Sequence, residues 1–123
     1  MLEEVIKAIL EEIMTPIVGE GKVYPIFGMG DFPFLTYTIT PIDGGVVKES
    51  QIEVKVISDR YSQAIELREV IEKKLDMIDK TPSLLINDVV IRSGLAGGGT
   101  VFNDAIQVWE LSLIFIIKWR VRK

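Results

Sequence analysis

The sequence predicts an α+β domain: an antiparallel β-sheet of about four to five strands with two helices packed on one face. Three observations carry this. Two segments place apolar residues at helical spacing, several others alternate or cluster β-branched and aromatic residues, and their order along the chain is helix, hairpin, helix, hairpin. At 123 residues, with 48% of them hydrophobic, the chain is long enough for one core and reads as a single domain over 1–123.

The first element is a helix. Leu2, Val5, Ile6, Ile9, Leu10 and Ile13 recur at i, i+3, i+4 and i+7, while Glu3, Glu4, Lys7, Glu11 and Glu12 fill the opposite side. Pro16, which has no N–H, is expected to end it. Residues 18–33 read as loop, punctuated by Gly19, Gly21, Gly28, Gly30, Pro25 and Pro33, with one short strand at Lys22–Pro25. Phe34–Thr40 is aromatic and β-branched and reads as a strand. Pro41 and Asp43-Gly44-Gly45 then make a turn, and Gln51–Ile57 alternates Ile52, Val54 and Val56 against Glu53 and Lys55. The two strands form an antiparallel hairpin. A second helix, Tyr61–Met77, follows with Ala64, Leu67, Ile71, Leu75 and Ile78 as its apolar stripe and Ser58 or Asp59 as its cap. Leu85–Arg92 is a strand, residues 93–104 are a flexible glycine-rich hairpin tip, and Ala105–Val121 is a long strand. One face of that strand is Trp109, Leu111, Leu113, Phe115, Ile117 and Trp119. The other mixes Glu110, Ser112, Lys118 and Arg120 with Ile114 and Ile116, which a helix or a neighbouring subunit would have to cover.

The absences narrow the chemistry. With no cysteine and no histidine, disulfides, thiolate catalysis, zinc ribbons, Ser-His-Asp triads and His metal ligands are all excluded. A net charge of −4 argues against a large DNA-binding surface. The apolar stretch Leu111–Ile117 is far shorter than the ~20 residues of a membrane helix. The N-terminus Met1-Leu2-Glu3-Glu4 lacks a basic leader region, so an intracellular chain without membrane contact is expected.

Each motif suggestive of chemistry has a plainer reading. Gly94-Leu-Ala-Gly97-Gly98-Gly99-Thr100 imitates a phosphate loop, but Thr100 and Val101 stand where Lys and Ser or Thr are needed, and a strand follows rather than a helix. A flexible hairpin tip suits it better, of the kind that can also serve as a contact loop ordering on assembly. Gly28-Met29-Gly30-Asp31 lacks the third glycine of a dinucleotide fingerprint. The pairs Asp76 and Asp79, and Asp43 and Glu49, read as solvated charge. Trp109 and Trp119 read as core aromatics, and Arg120, Arg122 and Lys123 as a solvated tail. No catalytic residue, cofactor or metal ligand is expected, and hence no enzymatic activity. The candidate site residues are those of assembly: Asp43, Gly44, Gly45, Gly97, Gly98 and Gly99 as contact loops, and Ile114 and Ile116 as a subunit interface.

These segments together resemble the tail-completion, or tail-to-head joining, proteins of long-tailed phages and prophages. The resemblance runs from the amphipathic first helix through Lys22-Val23-Tyr24-Pro25, then Phe32-Pro33-Phe34 leading into Leu35-Thr36-Tyr37. It continues through the strand Gln51–Ile57, the helix pattern Tyr61, Ala64, Leu67 and Ile71, and the closing strand Trp109–Trp119. The glycine-rich stretch from Ser93 to Asp104 departs from the family pattern. The resemblance implies a structural virion protein, made in the host cytoplasm. It would cap the head-proximal end of the tail tube as a homo-oligomeric ring, a hexamer in the virion. Its partners would be the tail tube protein and the head–tail connector, with DNA only in transit through the lumen. From the residues alone an intracellular adaptor or a small-ligand-binding α+β domain stays open as the alternative.

Overall fold

The computed structural model describes residues 2–19, 21–25, 31–77 and 84–121. In chain order these form α1 (Leu2–Val18), β1 (Val23–Pro25), β2 (Phe34–Asp43), β3 (Lys48–Ser58), α2 (Tyr61–Leu75), β4 (Leu84–Ile86), β5 (Val89–Asn103) and β6 (Val108–Val121). All six strands join one sheet in the order β1-β2-β3-β6-β5-β4. Every pairing is antiparallel except β1 with β2, which is parallel.

This corrects the expected fold class. The chain is mostly β, a mixed curled sheet of six strands, rather than an α+β domain with four to five antiparallel strands, though both expected helices are present. The discrepancy has two sources. Val23–Pro25 docks beside Leu35–Tyr37 as a parallel strand, anchored by the Leu35 N–H donating to the Lys22 carbonyl at 2.8 Å. The segment expected as one strand, Leu85–Arg92, folds back at Asn87 and Asp88. Both adopt positive φ (50° and 64°), the geometry of a two-residue hairpin turn, which Asn and Asp tolerate.

The longest correction is β5. Residues 93–103 are strand, not a flexible tip, and the true tip is Asp104–Gln107. Glycine is a weak strand former, and its density here reads as loop in isolation. The ladder to β6 overrides that preference, with Gly94 opposite Ile116, Gly97 opposite Ile114, Gly98 opposite Leu113 and Gly99 opposite Ser112. A bulge between Leu95 and Gly97 shifts the register by one residue.

Both helices pack on the same face of the sheet. Leu2, Val5, Ile6, Ile9, Leu10 and Met14 of α1 and Ala64, Leu67, Ile71 and Leu75 of α2 share one core with Leu35, Tyr37, Ile52, Val54, Val56, Ile91, Leu111, Leu113, Phe115 and Ile117. Full burial of each of the larger of these side chains contributes about 1.5–3 kcal/mol. Pro16 does not end α1 but lies in its final turn, where only one helical bond is forfeited. Gly19 ends it, at φ +92°, with its N–H donating to the Thr15 carbonyl at 3.1 Å. The N-cap of α2 is Arg60 rather than Ser58 or Asp59. The Ser58 hydroxyl instead accepts from the Arg60 N–H and donates to Gln63 Oε1, both at 3.1 Å.

Candidate assembly interface

The face of the sheet turned away from the helices is set by strand parity. Across it run Thr38, Glu53, Ile114 and Gly97 in one row, Thr40, Gln51, Ile116 and Gly94 in the next, and Thr36, Lys55, Ser112 and Gly99 in a third. Ile114 and Ile116 are half-buried and take no part in the core. Their β5 neighbours carry no side chain, so each isoleucine is open along that flank. A shallow groove of about 280 Å³, lined by Met77, Arg92, Ser93, Gly94, Ile116 and Lys118, lies over this spot.

The structure thus brings together two of the expected groups, Gly97 and Gly99 with Ile114 and Ile116. Gly98 belongs to the opposite parity. A Cβ built on it would run into the backbone carbonyl oxygen of Ser112, whereas one on Gly97 or Gly99 would meet nothing. Asp43, Gly44 and Gly45 stand apart at the exposed β2–β3 tip, where Asp43 Oδ1 accepts from the Gly45 N–H at 3.3 Å. Val46, 92% exposed, follows in the same tip. Of the weaker candidates, Asp79, residues 28–30, Arg122 and Lys123 lie outside the described residues.

The sheet's two edges were not foreseen. On one, among the described residues, β1 pairs with Leu35–Tyr37 of β2, and 38–43 are exposed apart from the half-buried Ile39. On the other, β4 covers only Val89–Ile91 of β5. The next stretch of β5 is sealed by the segment after α2. The Met77 N–H donates to the Ser93 carbonyl at 3.0 Å, the Ser93 N–H to Met77 Sδ at 3.4 Å, the Ser93 hydroxyl to the Leu75 carbonyl at 2.6 Å, and the Leu95 N–H to Asp76 Oδ1 at 3.1 Å. From Gly97 to Phe102 every residue is exposed, and among the described residues no strand pairs on that side. The one sequence signal for this edge is that residues 93–103 contain neither a charge nor a proline.

The far end of the sheet is held by aromatic packing, with Tyr61 and Phe102 each 4.7 Å from Trp109 between ring centroids. At the other end Lys48 sits 5.0 Å over the Trp119 ring, whose Nε1–H donates to the Ser50 hydroxyl. Under α1, burial and the neighbouring Glu3 carboxylate push the Tyr37 phenol above its ordinary pKa, and its hydroxyl lies 3.5 Å from Glu3 Oε1. Among the described residues no group of three or more Asp or Glu is placed to hold a metal ion, and no buried side-chain polar atom lacks a hydrogen-bond partner. The described residues leave a half-apolar sheet face that neither helix covers and two strand edges that are paired over part of their length.

No family model and no curated protein matches the sequence. Two solved chains share the fold over nearly their whole length. One, from the virion of a native gene transfer agent particle, superposes with a TM-score of 0.66 at 12% identity, covering 93% of each chain. Another, which carries no functional description, superposes with a TM-score of 0.67 at 9% identity, covering 98% of this chain and 97% of its own. At such identities the likeness is one of fold.

Proposed function

We propose that this chain is a structural protein of a phage-type particle, acting at the head-proximal end of the tail. There it caps the tube as a ring of its own copies, a hexamer, and joins it to the head connector. The observation that carries the reading is the fold match, over 93% of the chain, with a chain from a gene transfer agent virion. The order of segments that resembles tail-completion proteins supports it. So does the sheet face bearing Ile114 and Ile116, which neither helix covers. The role needs contacts with itself, with the tail tube protein and with the connector, and no catalytic group. A mildly acidic chain suits a passage through which DNA moves without being held.

The test is electron microscopy of induced lysates with the gene intact and with a stop codon at Glu3. The expected result is DNA-filled heads separate from unjoined tails, some of abnormal length, in the mutant alone. Normally joined particles from the mutant would overturn the reading in favour of an adaptor or ligand-binding domain.

A further inference from the structure

We propose that the exposed edge of β5, from Gly97 to Phe102, is a docking strip for an extended segment of a partner protein. That segment carries a lysine or arginine and, four residues from it, an apolar side chain. It adds one strand to the sheet beside α2. The inference goes beyond the tail role and does not depend on it.

Backbone parity defines what this edge offers. Ser93 and Leu95 turn their backbone groups outward, where both bond the segment after α2. The bulge after Leu95 transfers that role to Gly98, Thr100 and Phe102. Among the described residues no strand stands beside their N–H and C=O groups. The chain between Met77 and Leu84 is too short to supply one. Its ends lie against Ser93 and Ile91, and the seven residue steps between them span about 25 Å at most, against about 35 Å for a path out to Gly98 and back.

The composition of the strip suits a second backbone. Proteins commonly guard a bare strand edge with a charge or a proline, and residues 93–103 contain neither. Gly97, Gly98 and Gly99 stand in succession, and a Cβ added to Gly97 or Gly99 would meet nothing. Such a run lets another chain approach closely, at the expense of strand propensity.

Two features of the helix side select the occupant. Gly98, Thr100 and Phe102 stand level with Leu113, Leu111 and Trp109, so side chains placed opposite them on an added strand point toward α2. Gly98 has no side chain of its own, and the one opposite it enters a cleft of about 340 Å³ between α2 and β5. The charged groups lining that cleft are Arg68, Glu69 and Glu72. Arg68 is turned to Thr100, its Nη1 3.5 Å from Oγ1, while Asp76, a turn beyond Glu72, accepts from the Leu95 N–H. Carboxylates outnumber the one guanidinium, so a lysine or arginine complements the cleft. At the other end of the strip the rings of Phe102 and Tyr61, each packed on Trp109, are 40% and 47% exposed. An apolar side chain opposite Phe102 covers them. Charge at one end and aromatic surface at the other fix the register of the segment.

Amide hydrogen exchange of the full chain, read by NMR, tests the edge and its occupant together. In the free protein Gly98, Thr100 and Phe102 should exchange fast, and Gly97, Gly99 and Val101, whose backbone faces β6, slowly. The probes are blocked threonine-rich peptides with leucine and lysine four residues apart, in either order, so that both strand directions are offered. Adding the better of them should slow the three fast amides. Glutamate in place of the lysine should weaken binding about tenfold or more. Glu69→Gln with Glu72→Gln, which keeps side-chain size, should level that preference, and Glu69→Lys with Glu72→Lys should reverse it. Several results overturn the proposal. Slow exchange at the three amides in the free protein would mean that the edge is already covered. Protection that appears only as protein concentration rises would give the edge to a second copy. Lysine and glutamate probes that bind alike or not at all, or a lysine preference that survives in folded variants of both kinds, would remove the basic segment as occupant.

Discussion

The two faces of β6 differ both in composition and in what covers them. On one, Leu111, Leu113, Phe115 and Ile117 are buried beneath both helices. On the other, Ile114 and Ile116 sit among Glu53, Gln51 and Ser112, flanked by glycines. The covered face supplies the stability of the single chain. The open face carries apolar area that neither helix covers, and the proposed role would give it to a second molecule. Substitutions on the two faces should therefore separate folding from assembly.

The largest effect belongs to the covered face. Phe115 is fully buried opposite Ile52 and Leu95. Phe115→Ala leaves a cavity at the centre of the core and should cost about 3–5 kcal/mol of unfolding free energy, read by urea denaturation. A loss below about 1 kcal/mol would mean that the helices do not pack on this face as described.

The glycine run gives the next contrast, within one strand. Gly98→Ala forces a methyl group against the Ser112 carbonyl, a backbone atom that cannot swing aside, and should destabilise by about 1–3 kcal/mol. Gly99→Ala meets open space and should stay within about 0.5 kcal/mol of the parent. Equal effects at the two positions would remove the close approach of β5 to β6 at the bulge.

That same run marks where the sequence stopped being legible. Periodic apolar residues located both helices and alternation located β3 and β6, because a side chain's face follows directly from its spacing, while β2 was read from its aromatic and β-branched content. Glycine has no side chain to alternate, so residues 93–103 gave no period to read, and the strand exists only through its register with β6. The turn at Asn87-Asp88 was missed for a related reason: apolar residues flank it without a break, and neither turn residue is glycine. Ile114 and Ile116 could be placed on a second face from parity. That both helices would choose the opposite face could not be read locally, since it depends on how α1 and α2 meet the finished sheet.

A smaller stability effect, with a large effect on assembly, is expected on the open face. Ile116 is the better probe, because Ile114 lies directly opposite Glu53 and an added carboxylate there would repel it. Ile116→Glu falls beside Gln51 and Gly94, with Lys118 two residues on, and should lower stability by no more than about 1 kcal/mol. Joining of tails to heads in lysates carrying this variant should nevertheless fall sharply. A chain that unfolds instead would place Ile116 in the core, and full joining would remove the open face as a contact surface.

The smallest effect sharpens the covered face at its one perturbed phenol. Burial first, and then the Glu3 carboxylate, raise the Tyr37 pKa above 10.0, so the fold favours the neutral phenol more than the unfolded chain does. The sign follows from linkage: the unfolded chain releases this proton at lower pH than the folded one. The contribution to stability is therefore complete below pH about 10 and is lost as pH rises through the higher folded value. Tyr37→Phe removes the ionisation, and with it a long hydrogen bond to Glu3. Thermal denaturation from neutral to strongly alkaline pH should show a steeper alkaline fall in Tm for the parent than for the variant. Parallel falls would mean that water reaches Tyr37, and that the contact between α1 and the β2 edge is looser than its burial indicates.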